Sequence, residues 1–178
     1  VPDVEPTSES GLMDVSLHPD FAKNGYVYLA YSYNKDGKQV KVVRYIYKDN
    51  KFSEDKVIVD HVPGAPNHSG MRCRFGPDGK LYVTAGDSTD WNLAQKLDSL
   101  AGKTLRLNDD GSIPTDNPFF TTGASMGGEV GANLQRIFAY GVRNSFGMAF
   151  DPYSGNLWTQ ENGDDSFDEL NRVEKGMN

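Results

Sequence analysis

The sequence predicts an all-β fold, and three observations carry that expectation. Short apolar runs rich in Val, Tyr and Leu alternate with turn clusters along 178 residues that include 19 Gly and 9 Pro. One phrase is written three times. His18-Pro19-Asp20 leads through Asn24-Gly25 to Tyr26-Val27-Tyr28-Leu29-Ala30, Gly76-Pro77-Asp78-Gly79 to Leu81-Tyr82-Val83-Thr84, and Asp151-Pro152-Tyr153-Ser154-Gly155 to Leu157-Trp158-Thr159. Each copy is an apolar strand, a Pro-containing turn with Gly, and a strand carrying an aromatic. Residues 12–62 also divide into four strands, the content of one β-propeller blade.

The elements follow in order. Residues 1–10 are polar and connect. Leu12 to Leu17 and Tyr26 to Tyr31 form the first hairpin. Gln39 to Tyr47 sends Val40 and Val42 to one face and Tyr45 and Tyr47 to the other, as a half-buried strand does. Asp49-Asn50-Lys51 turns the chain, and Lys56 to Val62 returns as an outer strand. The second hairpin pairs Met71–Phe75 with Lys80–Ala85 around a Pro77-Asp78-Gly79 turn, where Pro pre-sets one dihedral and Gly accepts another. Ser88 to Ser99 is a polar connection with room for a short helix. Lys103–Leu107 and Ser112–Pro114 flank Asn108-Asp109-Asp110-Gly111, a hairpin signal. Thr115 to Asn133, rich in Gly, Thr and Asn, reads as a long loop. Arg136–Tyr140 is a strand, Phe146 to Gln160 the third hairpin, and Glu169–Val173 the start of another strand. The whole of 1–178 is thus expected to be about two and a half blades of a partial propeller.

Closed propellers have typically four to eight blades, so the open sheet faces call for remaining propeller blades or self-association. The opening Val1-Pro2-Asp3 and the closing Lys175-Gly176-Met177-Asn178 turn read as those of an internal portion of a longer polypeptide. A net charge of −7 argues against a general nucleic-acid surface, which relies on Lys and Arg. No run approaches the ~18 apolar residues of a membrane span. The single cysteine, Cys73, has no internal disulfide partner and is expected to be a buried, inert thiol.

An antiparallel hairpin returns to the end where it began, so residues before its first strand and after its second become neighbours. The second hairpin thereby joins His68 to Asp87. The first rim carries Glu9 and Tyr31. The third carries Arg143-Asn144 and the run Glu161-Asn162-Gly163-Asp164. Hairpins standing radially around an axis would bring these groups to one mouth. His68 reads either as a general base oriented by Asp87 or as a loop histidine with a local hydrogen bond. It also lies within an Asn67-His68-Ser69 glycosylation sequon. The carboxylates Glu161, Asp164, Asp165, Asp168 and Glu169 read as a hard-cation site or as a solvated acidic loop. Arg143 reads as a ligand for an anionic or carbonyl-bearing molecule, or as an ion-pair partner of that acidic run.

Five segments in order, GLMDVSLHPDFAKNGYVYLAYS, HSGMRCRFGPDGKLYVTAGD, LAGKTLRLNDDGSIPTDNPF, YGVRNSFGMAFDPYSGNLW and DELNRVEKGMN, resemble the soluble pyrroloquinoline quinone (PQQ)-dependent aldose sugar dehydrogenases, the glucose/sorbosone dehydrogenase family. The resemblance implies a six-bladed β-propeller in the full-length parent, with this chain a middle portion. It implies oxidation of an aldose at its anomeric hydroxyl to a lactone, with PQQ and calcium as cofactors. It also implies a separate electron acceptor and a periplasmic or extracellular location. By that resemblance His68 is the catalytic base, Asp87 its supporting carboxylate, and Arg143 a stabiliser of charge on the quinone oxygen. Glu9, His68, Arg143 and Asn144 would bind cofactor. Gly163 and Asp164 would lie in the loop holding its calcium, and Glu169 would bind a second, structural calcium. The chain departs from the family pattern at Asn162-Gly163-Asp164, at Val142, at Ser145-Phe146 and at Glu9. A non-catalytic propeller module that binds a protein or a sugar at the same mouth is the alternative.

Overall fold

The computed structural model describes residues 1–178 and contains eleven strands and four short helices. Strands β1 (Leu12–Leu17), β2 (Tyr26–Asn34), β3 (Lys38–Lys48) and β4 (Lys51–Pro63) form one antiparallel sheet in chain order. Strands β5 (Arg72–Phe75), β6 (Leu81–Ala85), β7 (Lys103–Leu107) and β8 (Ile137–Tyr140) form a second. Strands β9 (Ser145–Phe150), β10 (Leu157–Glu161) and β11 (Glu169–Val173) form a third, three-stranded sheet. The first strands of the sheets are neighbours, β1 beside β5 and β5 beside β9. That arrangement is a run of propeller blades, slightly more than the two and a half expected.

The turns behave as their residues dictate. Gly79 N–H bonds to the Gly76 carbonyl at 2.9 Å, closing the tight turn between β5 and β6. Between β3 and β4, Asp49 and Asn50 both take left-handed φ values of 52° and 59°, the two-residue geometry that matches strand twist. This tight turn lets β4 pair from Lys51, five residues earlier than the apolar pattern alone marks. Val40 and Val42 enter the core while Tyr45 packs on the opposite face with Tyr31 and Val43.

Three readings are corrected. The β1–β2 connection holds a one-turn helix, α1 (Phe21–Asn24), too short to show periodicity. Ser112–Pro114 forms no strand: Asn108 N–H bonds to the Ser112 carbonyl and the chain leaves the sheet there. The expected loop at 115–133 contains most of two helices, α3 (Phe120–Met126) and α4 (Gly128–Arg136). Gly, Thr and Ser are poor helix formers, so propensity pointed away from them. Tertiary packing overrides it, because Gly123 and Gly131 let the two helix backbones touch where a Cβ would collide. Asn117, almost wholly buried, ties the pair down by donating to the carbonyls of Arg106 and Gln135.

The main core lies between the first two sheets. Tyr28, Val40, Val42, Ile58 and Val62 meet Cys73, Leu81, Val83, Leu105, Leu107 and Ile137. Burial raises the pKa of the Cys73 thiol, so the expected inert, protonated sulfur is what the fold holds. A smaller cluster of Tyr82, Met148 and Leu157, with Phe138 and Phe150, seals the second sheet to the third. Where the three first strands converge, Arg72 replaces apolar packing. Its guanidinium donates to Phe146 O at 2.9 Å, Met71 O at 2.9 Å and Met13 O at 3.2 Å, pinning all three sheets.

Candidate active site at the hairpin rims

The β5–β6 hairpin brings His68 and Asp87 together as its topology requires. His68 Nδ1 lies 2.9 Å from Asp87 Oδ1, and the Asp87 side chain is only 4 % exposed. An ionised carboxylate only accepts, so this contact selects the Nδ1–H tautomer of the neutral ring, the one whose Nε2 carries the lone pair. Asp87 Oδ1 also accepts from Thr89 N–H at 2.9 Å, which fixes the carboxylate against its own loop. His68, Ser88 and Thr89 all adopt left-handed φ (56°, 58° and 65°), a conformation that costs energy, above all for β-branched Thr.

Gly86 makes this approach possible. A Cβ there would lie 2.7 Å from the His68 carbonyl carbon, closer still to its oxygen, and 3.2 Å from Arg143 O. Its bareness lets Ser88 N–H reach His68 O at 3.0 Å and Asp87 N–H reach Arg143 O at 2.8 Å. The third hairpin is thereby docked on the second by backbone bonds, and Arg143 arrives beside His68.

Arg143 is held from below and engaged from above. Its N–H donates to Glu161 Oε2 at 2.8 Å, and its guanidinium donates to Asn162 O and Asp164 Oδ1, each at 2.9 Å. Burial raises the Glu161 carboxyl pKa, with Arg143 N–H and Asn171 opposing that shift. Arg143 thus pairs with the acidic run, as one of its two readings expects, and it also lines the cleft. Glu9, from the first rim, accepts from His68 N–H and Asn144 Nδ2 through the same Oε2, each at 3.1 Å. Asn144 Oδ1 accepts from Gly70 N–H at 3.2 Å. Asn144 and Glu9 thus brace the three rims from behind, and neither lines the cleft.

The cleft itself is open, about 260 Å³, and is lined by His68, Asp87, Thr89, Trp91, Arg143 and Asp164. The sequence reading brought His68, Asp87, Arg143 and Asp164 to one end, and all four are there. Trp91 and Thr89 were missed. The signal available was a large aromatic in an otherwise polar connection just after Asp87. Glu169 lies outside this cleft, opposite Glu161 in the β10–β11 ladder with Oε2 accepting from Asn171, and lines a neighbouring pocket with Arg143, Asn162 and Gly163.

A quinone cofactor with carboxylates is tested by the donor set. One guanidinium beside an imidazole with a free Nε2 fits the quinone end of such a molecule. No second Arg or Lys lines this cleft to meet its carboxylates. Calcium fares differently: no three His, Cys, Asp or Glu side chains are placed to hold a metal ion. Asp164 is engaged with Arg143, Asp168 accepts from Gly163 N–H, and Glu161 accepts from Arg143 N–H. The side chains present do not form a calcium cage.

The fold and the cleft define the class: a β-propeller whose hairpin rims gather an imidazole, a carboxylate and an arginine at one open mouth. The particular family follows from comparison. The chain belongs to the Glucose / Sorbosone dehydrogenase family, whose pattern matches residues 1–178. It is 39% identical over 184 residues to the aldose sugar dehydrogenase YliI of Escherichia coli (strain K12), covering 100% of this chain and 47% of that protein. The PQQ-bound form of the aldose sugar dehydrogenase from Streptomyces coelicolor superposes with a TM-score of 0.84 at 33% identity, covering 99% of this chain and 49% of that one. The Hedgehog-interacting protein of Homo sapiens is 30% identical over 172 residues, covering 84% of this chain and 23% of that protein. The chain spans less than half the length of these curated relatives.

Proposed function

We propose that this chain is the acid–base half of a sugar oxidoreductase that oxidises an aldose at its anomeric hydroxyl to a lactone. The observation that carries the reading is the His68–Asp87 pair in the cleft with Arg143. Asp87 holds the Nδ1 proton, so Nε2 faces the cleft as a base, and it takes the proton of the anomeric hydroxyl. Bound PQQ would supply the two-electron acceptor for the hydride that leaves the same carbon. Arg143 supports negative charge that develops beside it, the role of a preorganised donor in a partly dry site. Glu9 keeps His68 in register by accepting from its main-chain N–H, and Asn144 holds Glu9 in place and accepts from Gly70 N–H.

The proposal extends to a PQQ-dependent parent with further propeller blades that passes electrons to a separate acceptor, in a periplasmic or extracellular setting. No helix of the chain is long and apolar enough to cross a membrane.

The experiment is His68→Ala in the full-length protein, with dye reduction by aldoses measured alongside PQQ binding. General-base contributions are typically ~10²–10⁴-fold, so turnover should fall by that much while PQQ affinity changes little. A loss below tenfold defeats the assignment. The second reading, a non-catalytic module, is favoured by one observation: Arg143 is already paired with Asp164 across the cleft. On that reading the wild-type protein with PQQ and calcium reduces no dye with any aldose.

A further inference from the structure

Trp91 is the apolar side chain that the mechanism leaves unused. It is 76% exposed, although it lines the cleft beside His68, Thr89 and Arg143. A Trp side chain carries ~150–250 Å² of surface and ordinarily finds cover. In a flexible loop its exposure would mean little, but its backbone is tightly fixed. Trp91 opens the helix α2 (Trp91–Gln95), which Asp90 caps by accepting from Asn92 N–H. Lys103, wholly buried, donates its ammonium to the carbonyls of Leu93 (2.7 Å), Ala94 (3.1 Å) and Ala101 (2.7 Å). Gly102 lets Ala94 pack where a Cβ would sit 2.6 Å from the alanine methyl. Gly141 N–H adds a bond to Ala94 O at 3.1 Å. Two segments, residues 101–103 and Gly141, thus clamp a five-residue helix whose first side chain is left uncovered at the lip.

The surroundings select what covers it. The lip around the indole is acidic and hydroxylic, with Thr89 and Asp164 lining the same cleft and Asp164 almost fully exposed. Those groups accept hydrogen bonds from hydroxyls and repel a carboxylate-bearing cofactor. A pyranose offers what the lip can use: an apolar face of C–H bonds for the ring and a rim of hydroxyls for the oxygens. The cofactor's natural place is deeper, against Arg143, which is only 30% exposed.

We propose that Trp91 is the stacking platform for the pyranose ring of the sugar substrate, setting sugar affinity without taking part in proton transfer. This rests on the sugar-oxidation reading of the same cleft. The test uses the full-length protein with glucose as the probe, comparing wild type with Trp91→Ala and Trp91→Phe. The expected result is that Trp91→Ala raises KM at least tenfold with kcat within threefold, and Trp91→Phe holds KM within threefold. Glucose should also quench a component of the wild-type tryptophan fluorescence that is missing in Trp91→Phe.

An unchanged KM in Trp91→Ala overturns the proposal. So does a fall in PQQ affinity with sugar KM preserved, since the indole would then serve the cofactor. If wild type turns over no aldose yet glucose quenches Trp91, the oxidation reading fails while the platform stands. Absence of both turnover and quenching overturns the two together.

Discussion

Gly86→Ala tests whether the His68–Asp87–Arg143 juxtaposition depends on a bare backbone. The new Cβ would lie 2.7 Å from the His68 carbonyl carbon. Non-bonded carbons rest at ~3.5–4.0 Å, so one of the two strands must move by about 1 Å. The obstruction is main chain, with Arg143 O 3.2 Å away on the other flank, so no side-chain rotation can relieve it. The affected bonds are Ser88 N–H to His68 O and Asp87 N–H to Arg143 O, which set the imidazole, the carboxylate and the guanidinium relative to one another. Overpacking of this kind costs about 1–3 kcal/mol of stability. A misplacement of about 1 Å at a reacting group can cost ~10²-fold in rate, or about 2.7 kcal/mol of barrier. The assay is kcat for aldose oxidation in the full-length protein at saturating PQQ, with urea melts to confirm that the variant folds. A folded variant with kcat within threefold of wild type would refute the argument that this close approach positions the base.

Three further outcomes are expected. Arg72→Met should lower stability by about 2–5 kcal/mol, because the charge-assisted bonds to Met13 O and Phe146 O in the two neighbouring sheets are lost together with the local one to Met71 O, and urea unfolding measures it. Burial pulls the Lys103 ammonium from 10.5 to about 8, so between those pH values the unfolded chain holds a proton that the folded chain has released. Stability should therefore rise with pH across that window by about 3 kcal/mol, and Lys103→Met should remove that rise from denaturant melts taken at each pH. Residues 1–178 made alone should be inactive and self-associate in sedimentation, since Leu12, Val15 and Leu17 on β1 and Leu170 on β11 are left exposed. A cooperative monomer that oxidises aldoses would contradict this.

The hairpins were legible because Pro and Gly at Pro77–Gly79 and Pro152–Gly155 impose turn dihedrals locally, and alternation fixes which face is buried. From the turn alone, His68 and Asp87 had to meet, since an antiparallel pair leaves no other place for its two ends. The helices α3 and α4 were hidden because the Gly123–Gly131 contact is a property of the packed pair, invisible to residue propensity. Asn144 was legible as a site residue but not as a brace, because its partners Glu9 and Gly70 lie on two other hairpins. Trp91 was hidden for a different reason. A five-residue helix has no periodicity, and what makes its exposed side chain meaningful is Lys103, buried on the next strand.

The Glu9–Asn144 bond has a consequence for the order of folding. It spans 135 residues, whereas the His68–Asp87 contact spans 19. Closing the longer loop costs roughly 2 kcal/mol more chain entropy, so the imidazole–carboxylate pair can assemble early while its brace waits for β9 to dock. Glu9→Gln and Asn144→Ala should then speed unfolding and leave the refolding rate nearly unchanged, the signature of contacts absent from the transition state. A nascent chain released before β9 would carry the base and its carboxylate without the strut that sets their register.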